Sequence, residues 1–330
     1  MRALVTGGGG FLGSHIARLL LEAGYEVRVL GRNRYPEMEA LGCEGVVCDL
    51  SAPAGLVEAL DGVDVVFHVA ALAGMWGPRE RYVAANVTAT EVLVEACKEA
   101  GVKRLVYTSS PSVTFHGRDE EGVSEEDCSY PESFLFHYSE TKAIAERFVL
   151  EANGPSLATT ALRPHLIYGP GDPHLLPRLL QRQRAGRLRV IGDGLNKVAL
   201  TYVENAAQAH LQAGEVLAPG SANAGKAYFI TDAEPVLVWK WLEDAFVAVG
   251  AGPIRGKISA TLALRLAGVA EWVWRSFNLS GEPPITRFTV AQTSTSHWYD
   301  LGAAERDFGY TPRVSGEEGF KRMVDALRSS

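Results

Sequence analysis

A tyrosine and a lysine four residues apart, in the run Tyr138-Ser139-Glu140-Thr141-Lys142, are the residues of this sequence best equipped for proton transfer. On a helix, positions i and i+4 share a face, so the Lys142 ammonium can stand beside the Tyr138 phenol and favour its ionised form. A phenol titrates at about 10 and needs such help near neutrality, where a neighbouring cation can lower its pKa by roughly one to three units. So assisted, Tyr138 can donate a proton to a carbonyl oxygen while a hydride arrives at carbon, or act as phenolate base in the reverse direction. Ser110, in the cluster Thr108-Ser109-Ser110-Pro111-Ser112, offers a hydroxyl to polarise that carbonyl, with Ser109 and Ser112 as the alternatives. His137 is read as a pocket or surface residue.

The pair is only a spacing until a fold presents it to a hydride source. Residues 2–6 read as an apolar strand running into Gly7-Gly8-Gly9-Gly10-Phe11-Leu12-Gly13, and Ile16, Leu19, Leu20 and Ala23 then recur at helical spacing. Gly24 closes that helix and residues 27–30 read as a second strand, completing a βαβ unit. The alternation continues with strands at 45–48, 63–68, 104–108 and 157–162, and helices at 54–60, 82–100 and from 138 to about 153. This rhythm predicts an α/β fold with a doubly wound parallel sheet. The turn cluster Tyr168-Gly169-Pro170-Gly171-Asp172-Pro173 marks the expected boundary. Residues 1–168 form the dinucleotide-binding domain, and 169–330 form mainly a smaller substrate lobe, with about 198–217 and 226–231 returning to the sheet. The acidic stretch after Ser110, from Asp119 to Asp127, is expected as a solvated surface loop or lid.

The spacing Gly7-x-x-Gly10-x-x-Gly13 after a first strand meets the needs of a pyrophosphate: a tight turn, close backbone approach and free N–H groups at a helix N-terminus. Phe11 and Leu12 lie within it. Where NAD enzymes place a carboxylate after the second strand, this chain has Gly31-Arg32-Asn33-Arg34. A guanidinium at Arg32 suits a 2′-phosphate, so NADP(H) is favoured over NAD(H), the alternative being an arginine stacked on adenine. Asp49 and Leu50 fit the adenine edge, Ala70 and Ala71 allow close approach, and Thr108, Pro164 and His165 stand at strand ends facing the same crevice. His165 can also be core.

Acidic residues outnumber basic ones by 39 to 32, which argues against a general affinity for nucleic acid or anionic membrane. Cys43, Cys48, Cys97 and Cys128 have no metal-ligand or disulfide spacing, so no metal is expected. The chain reaches its first strand at once, leaving no room for a leader, and a cytoplasmic enzyme is expected. Residues 258–279 are apolar but broken by Arg265, Glu271 and Arg275, unlike a transmembrane span. Leu262, Leu266, Val269, Val273 and Phe277 fall near one face of a helix there, either as a wall of the substrate pocket or as a peripheral membrane contact.

Taken together, Thr6 to Gly13, Asp49-Leu50, His68 to Ala71, Asn86, Tyr107 to Ser110, Tyr138 to Lys142, and Leu162-Arg163-Pro164 with Tyr168 to Asp172 closely resemble the extended short-chain dehydrogenase/reductase superfamily, in its 3β-hydroxysteroid dehydrogenase-like branch. The resemblance covers essentially the whole chain. It implies a Rossmann domain in which Lys142 also binds the nicotinamide ribose and Asn86 anchors a water relaying protons from Lys142, unless Asn86 merely bonds within its helix. Within the branch, Tyr35-Pro36-Glu37, Ala73 to Gly77, Asn196-Lys197-Val198, Pro284 to Phe288, His297-Trp298-Tyr299 and Phe308-Gly309-Tyr310 resemble the bacterial β-oxo acid reductases of long-chain olefin formation. That implies NADPH-dependent, reversible reduction of a 2-alkyl-3-oxoalkanoic acid, a lipid-like ketone, with other enzymes of that route as partners and a homodimer through the two long helices. Trp76, Leu262, Leu266, Trp272, Trp274 and Phe288 are candidate groove residues; Ser112, His165, Arg287 and Lys197 are candidate polar contacts. The rivals are a 3β-hydroxysteroid dehydrogenase, a sugar-nucleotide epimerase or dehydratase, and a non-catalytic NADP-sensing protein.

Overall fold

The computed structural model describes residues 1–52, 54–74, 76–173 and 175–329. Short runs rich in Val, Leu and Ala form strands because both faces of the sheet are covered. Strands β1 (Arg2–Thr6), β2 (Glu26–Gly31), β3 (Glu44–Val47), β4 (Val65–His68) and β5 (Arg104–Thr108) join Ala158–Pro164 and Ala227–Ile230 in one seven-stranded sheet. Its order is 227–230, 158–164, β5, β4, β1, β2, β3, with every pairing parallel. Every residue of β4 and of Ala158–Pro164 is buried. Helices Phe11–Glu22 and Val203–Val216 bury their apolar faces on one side of the sheet. Ala89–Glu99 and His137–Glu151 do so on the other.

Two departures from the sequence reading bear on the site. The helix expected over 82–100 starts earlier, at Arg79–Tyr82, and passes through a π-helical turn at Val83–Thr88 before continuing as Ala89–Glu99. Such a turn inserts a residue into the helical ladder and commonly marks a functional position; here it carries Asn86. The acidic run is not simply a solvated loop. Glu120–Val123 is a strand paired with His297–Tyr299, Glu120 is buried, and the Glu125 carboxylate accepts the Phe229 N–H at 2.7 Å. The carboxylates serve as backbone acceptors that fasten this segment to the rest of the molecule.

A third apolar cluster holds the remaining helices together, including Leu175–Arg184, Val238–Ala248, Ala260–Ser276 and Gly316–Ser329, through Leu176, Leu180, Trp239, Leu242, Phe246, Ala263, Ala267 and Met323. Among the described residues no helix is long and apolar enough to cross a membrane.

Candidate active site

The glycine loop leaves β1 with Gly7 at φ +66°, a conformation that favours glycine. A Cβ on Gly13 would lie 2.2 Å from the Gly7 carbonyl oxygen, so the helix Phe11–Glu22 can start against the loop only without a side chain there. The loop borders a groove of about 430 Å³ lined by Gly7, Gly31, Arg32, Tyr35, Asp49, Leu50, Ala70, Ala71 and Arg81 among others. Arg32 is exposed, whereas Arg34 is paired with Glu39 at 2.9 Å. Asp49 accepts from both the backbone and hydroxyl of Ser51, and these bonds hold its carboxyl below the usual range, with Arg32 adding to the effect. Tyr35 lies across the loop, its ring 2.0 Å from where a Gly9 Cβ would stand and its hydroxyl equally close to one on Gly31. The groove therefore has the bare backbone, helix N-terminus and cation that a dinucleotide requires.

Behind the groove, β1 and β4 end in register at Thr6 and His68. The Thr6 hydroxyl accepts the Val69 and Ala70 N–H groups and donates to His68 Nδ1 at 2.7 Å. His68 Nε2 then donates to Thr90, whose hydroxyl donates to the Asn86 carbonyl at 2.6 Å. Burial pushes His68 down to about 3, with the Lys142 charge a lesser cause, so it works as a neutral spacer. The Asn86 side chain accepts the Leu72 N–H at 2.7 Å and donates to Thr141 at 3.1 Å. It thereby ties the π-turn to the β4 exit and to the catalytic helix. These bonds position the Asn86 side chain between the two elements.

His137–Glu151 carries Tyr138 half-buried and Lys142 only 2 % exposed. The two do not act on each other as the i,i+4 spacing suggests. Lys142 Nζ donates to the Thr108 carbonyl and stands 4.0 Å above the Tyr107 ring, drawn to the strand end instead of the phenol. Burial pushes Lys142 down to about 7 against the pull of Glu146, and pushes Tyr138 up to about 12, with Ser110 pulling it down. Ser110 thus couples to Tyr138, while its own oxygen lies 3.0 Å from that of the buried Ser112. One turn below Lys142, Glu146 forms a buried pair with Arg163 at 2.6 Å and accepts from Tyr130 at 2.7 Å. This anchors the helix to Ala158–Pro164.

A second cavity, of about 930 Å³, opens beside the helix N-terminus and is walled by Trp76, Phe136, Trp274 and Phe288, with Arg79, Arg81, Arg275 and Arg287 among its lining residues. Phe136 connects it to the reacting centre, with its ring 5.7 Å from Tyr138 and 4.4 Å from Phe288. Met75, beside Trp76, lies outside the described residues. Several expected contacts belong elsewhere. Leu262, Leu266 and Trp272 face outward, because small residues take the inner face of their helix. Lys197 stands near Trp298 on another sheet. Arg287 stays in the cavity lining but is engaged with Glu271 at 2.8 Å. The Thr108 side chain turns to His210, and His165 bonds His297 at 2.6 Å inside the protein. Thr6, Thr90, Glu146 and Arg163 had no assigned role in the sequence reading; the register of β1 with β4 and the i,i+4 relation of Lys142 to Glu146 are the signals that could have found them.

A doubly wound sheet whose glycine cradle, serine strand end and Tyr138/Lys142 helix converge defines a dehydrogenase or reductase of the Rossmann class. The chain belongs to the 3-beta hydroxysteroid dehydrogenase/isomerase family, whose model matches residues 4–253. It is 49% identical over 324 residues to the 2-alkyl-3-oxoalkanoate reductase of Stenotrophomonas maltophilia, covering 98% of both chains. It is also 36% identical over 335 residues to the human sterol-4-alpha-carboxylate 3-dehydrogenase, decarboxylating, covering 99% of this chain and 88% of that one. A solved structure of MoeE5 in complex with UDP-glucose and NAD superposes with a TM-score of 0.75 at 28% identity, covering 100% of this chain and 99% of the other.

Proposed function

We propose that this chain reduces a 2-alkyl-3-oxoalkanoic acid to the 2-alkyl-3-hydroxy acid with NADPH. The observation that carries the reading is the junction of Tyr138 and Ser110, through Phe136, with a large cavity combining aromatic walls and arginines. Alkyl tails suit Trp76, Phe136, Trp274 and Phe288, and a carboxylate suits the guanidinium-rich rim. The two relatives share a chemical pattern in their names. Each acts on an oxygenated carbon beside a carbon bearing a carboxylate, in one case within a chain and in the other on a sterol ring.

When bound, the dinucleotide supplies the hydride. Ser110 orients and polarises the carbonyl, and Tyr138 delivers the proton to its oxygen. Lys142, pushed down to about 7 by burial, holds the strand end beside Ser110 through the Thr108 carbonyl, and by its resemblance to the short-chain dehydrogenases/reductases it also binds the nicotinamide ribose. Asn86 and Thr141 hold the first turn of the catalytic helix against the β4 exit. Arg32 at the end of β2 supports NADPH over NADH, because no carboxylate takes that place.

A panel of 2-alkyl-3-hydroxy acids, 3β-hydroxysteroids and UDP-sugars, assayed with NADP+ and NAD+, tests the assignment. The reading expects turnover of the hydroxy acid with NADP+. Turnover of the steroid alone would replace the substrate, and preference for NAD+ would reject the role of Arg32.

A further inference from the structure

The helix Ala260–Ser276 is built the wrong way round for a core element. It buries Ala263, Ala267 and Glu271 and presents large apolar side chains to solvent. Val269 is 60 % exposed, Trp272 63 % and Phe277 67 %, alongside exposed Leu262, Leu264, Leu266 and Leu279. Leu262, Leu266, Val269 and Phe277, with the half-buried Val273 between them, recur at helical spacing, so the exposed residues form a stripe and not a scatter. Seven of the chain's exposed large hydrophobic residues thus lie in one short segment, where a soluble surface normally keeps them apart.

The charge of this segment is as local as its apolarity. In a chain of net charge -7, residues 252–280 carry Arg255, Lys257, Arg265 and Arg275 against one acid, Glu271. Glu271 is buried and paired with Arg287, so the solvent side of the segment is purely cationic. An apolar stripe flanked by arginine and lysine is the pattern of a helix lying in a membrane interface, and it opposes the sign of the rest of the molecule.

The same helix also borders the cavity. Trp274, Arg275 and Leu279 line it, and the Arg275 guanidinium lies 5.3 Å from the Trp76 ring across its mouth. We infer that the outer face of Ala260–Ser276, continued by Phe277 and Leu279, docks this protein on an anionic lipid surface, with the cavity opening beside the contact. In that pose the apolar stripe enters the headgroup region, the cations meet lipid phosphates, and a lipid-like ligand can pass between bilayer and cavity without crossing water. The docking rests on this surface alone and not on the substrate assignment, so the two can fail separately.

The test is sedimentation of the full-length protein with vesicles of phosphatidylcholine, with and without about one-third phosphatidylglycerol, at low and high salt. The expected result is binding to the anionic vesicles that weakens with salt, with a blue shift of tryptophan emission. The variant Val269→Ser/Trp272→Ser/Phe277→Ser should lose roughly tenfold or more of that partitioning while keeping its melting transition. No binding by the wild type, or equal binding by the variant, overturns the inference. So does a wild-type dimer that these substitutions dissociate without any vesicle binding, which would make the face a subunit interface. If the triple variant fails to fold, Val269→Ser alone carries the same comparison.

Discussion

The reacting centre and the cavity beside it are held in opposite ways. Around Tyr138, polar side chains interlock: Thr6, His68, Thr90 and Asn86 form one chain of hydrogen bonds, and Tyr130, Glu146 and Arg163 form another. Around the cavity, contacts are aromatic and the ion pairs Arg79–Glu140, Arg178–Glu282 and Arg287–Glu271 each include a substantially exposed arginine. Buried networks fix geometry to fractions of an ångström, while apolar walls and solvated ion pairs tolerate changes of shape. On the proposed function, the first region fixes the chemistry and the second is left to choose the ketone.

The comparison breaks most visibly at Tyr138. Tyr138→Phe should cut turnover by about 10²–10⁴ while leaving NADPH affinity nearly unchanged, as measured by steady-state kinetics and cofactor fluorescence. Full activity in this variant would remove the proton donor from the account. Lys142→Met should also lose most activity, yet gain stability at pH 7. Lys142 is depressed from 10.5 to about 7 in the folded protein. Between those values the unfolded chain binds the extra proton, so the contribution of this group makes the native state more stable as pH rises from 7 towards 10.5, and that contribution is lost as pH falls through 7. Melting curves of wild type and variant across this range should converge as pH increases; parallel curves would contradict the depressed lysine.

Asn86→Ala strips the Leu72 N–H and Thr141 of a shared partner and should cost about 1–3 kcal/mol in denaturant unfolding, with a fall in turnover larger than any rise in KM. Arg32→Ala should raise KM for NADPH roughly tenfold and leave NADH almost untouched, since one charged contact is at stake. Equal effects on both cofactors would mean that Arg32 packs on adenine. Arg287→Ala leaves the buried Glu271 carboxylate without its guanidinium and should lower stability by about 1–3 kcal/mol, and its effect on KM for a carboxylate substrate would show whether the rim recognises that group.

Much of the reacting centre was legible because its chemistry is local in sequence. The glycine loop, Ser110 and the Tyr138/Lys142 pair each lie within one turn or strand end, where spacing dictates position. What escaped depends on register between distant segments. Nothing near Asn86 in the sequence says that Leu72 and Thr141 will use its side chain, or that a π-turn will aim it there. Lys142 was placed on the right face but given the wrong first partner, because helical spacing cannot weigh a strand-end carbonyl against a neighbouring phenol. Likewise, periodicity grouped Leu262, Leu266, Val269 and Val273 on one face. It could not say that the alanines opposite them would pack inward and send the large side chains out.

The most direct test of the central claim is the NADP+-dependent oxidation of a 2-alkyl-3-hydroxy acid compared with its methyl ester and with a 3β-hydroxysteroid. The free acid should have the highest kcat/KM, and the ester should lose most of it through KM, since Tyr138 is untouched and only the rim contact is removed. Equal use of acid and ester, or efficient turnover of the steroid alone, would contradict a site built for a β-oxygenated carboxylic acid.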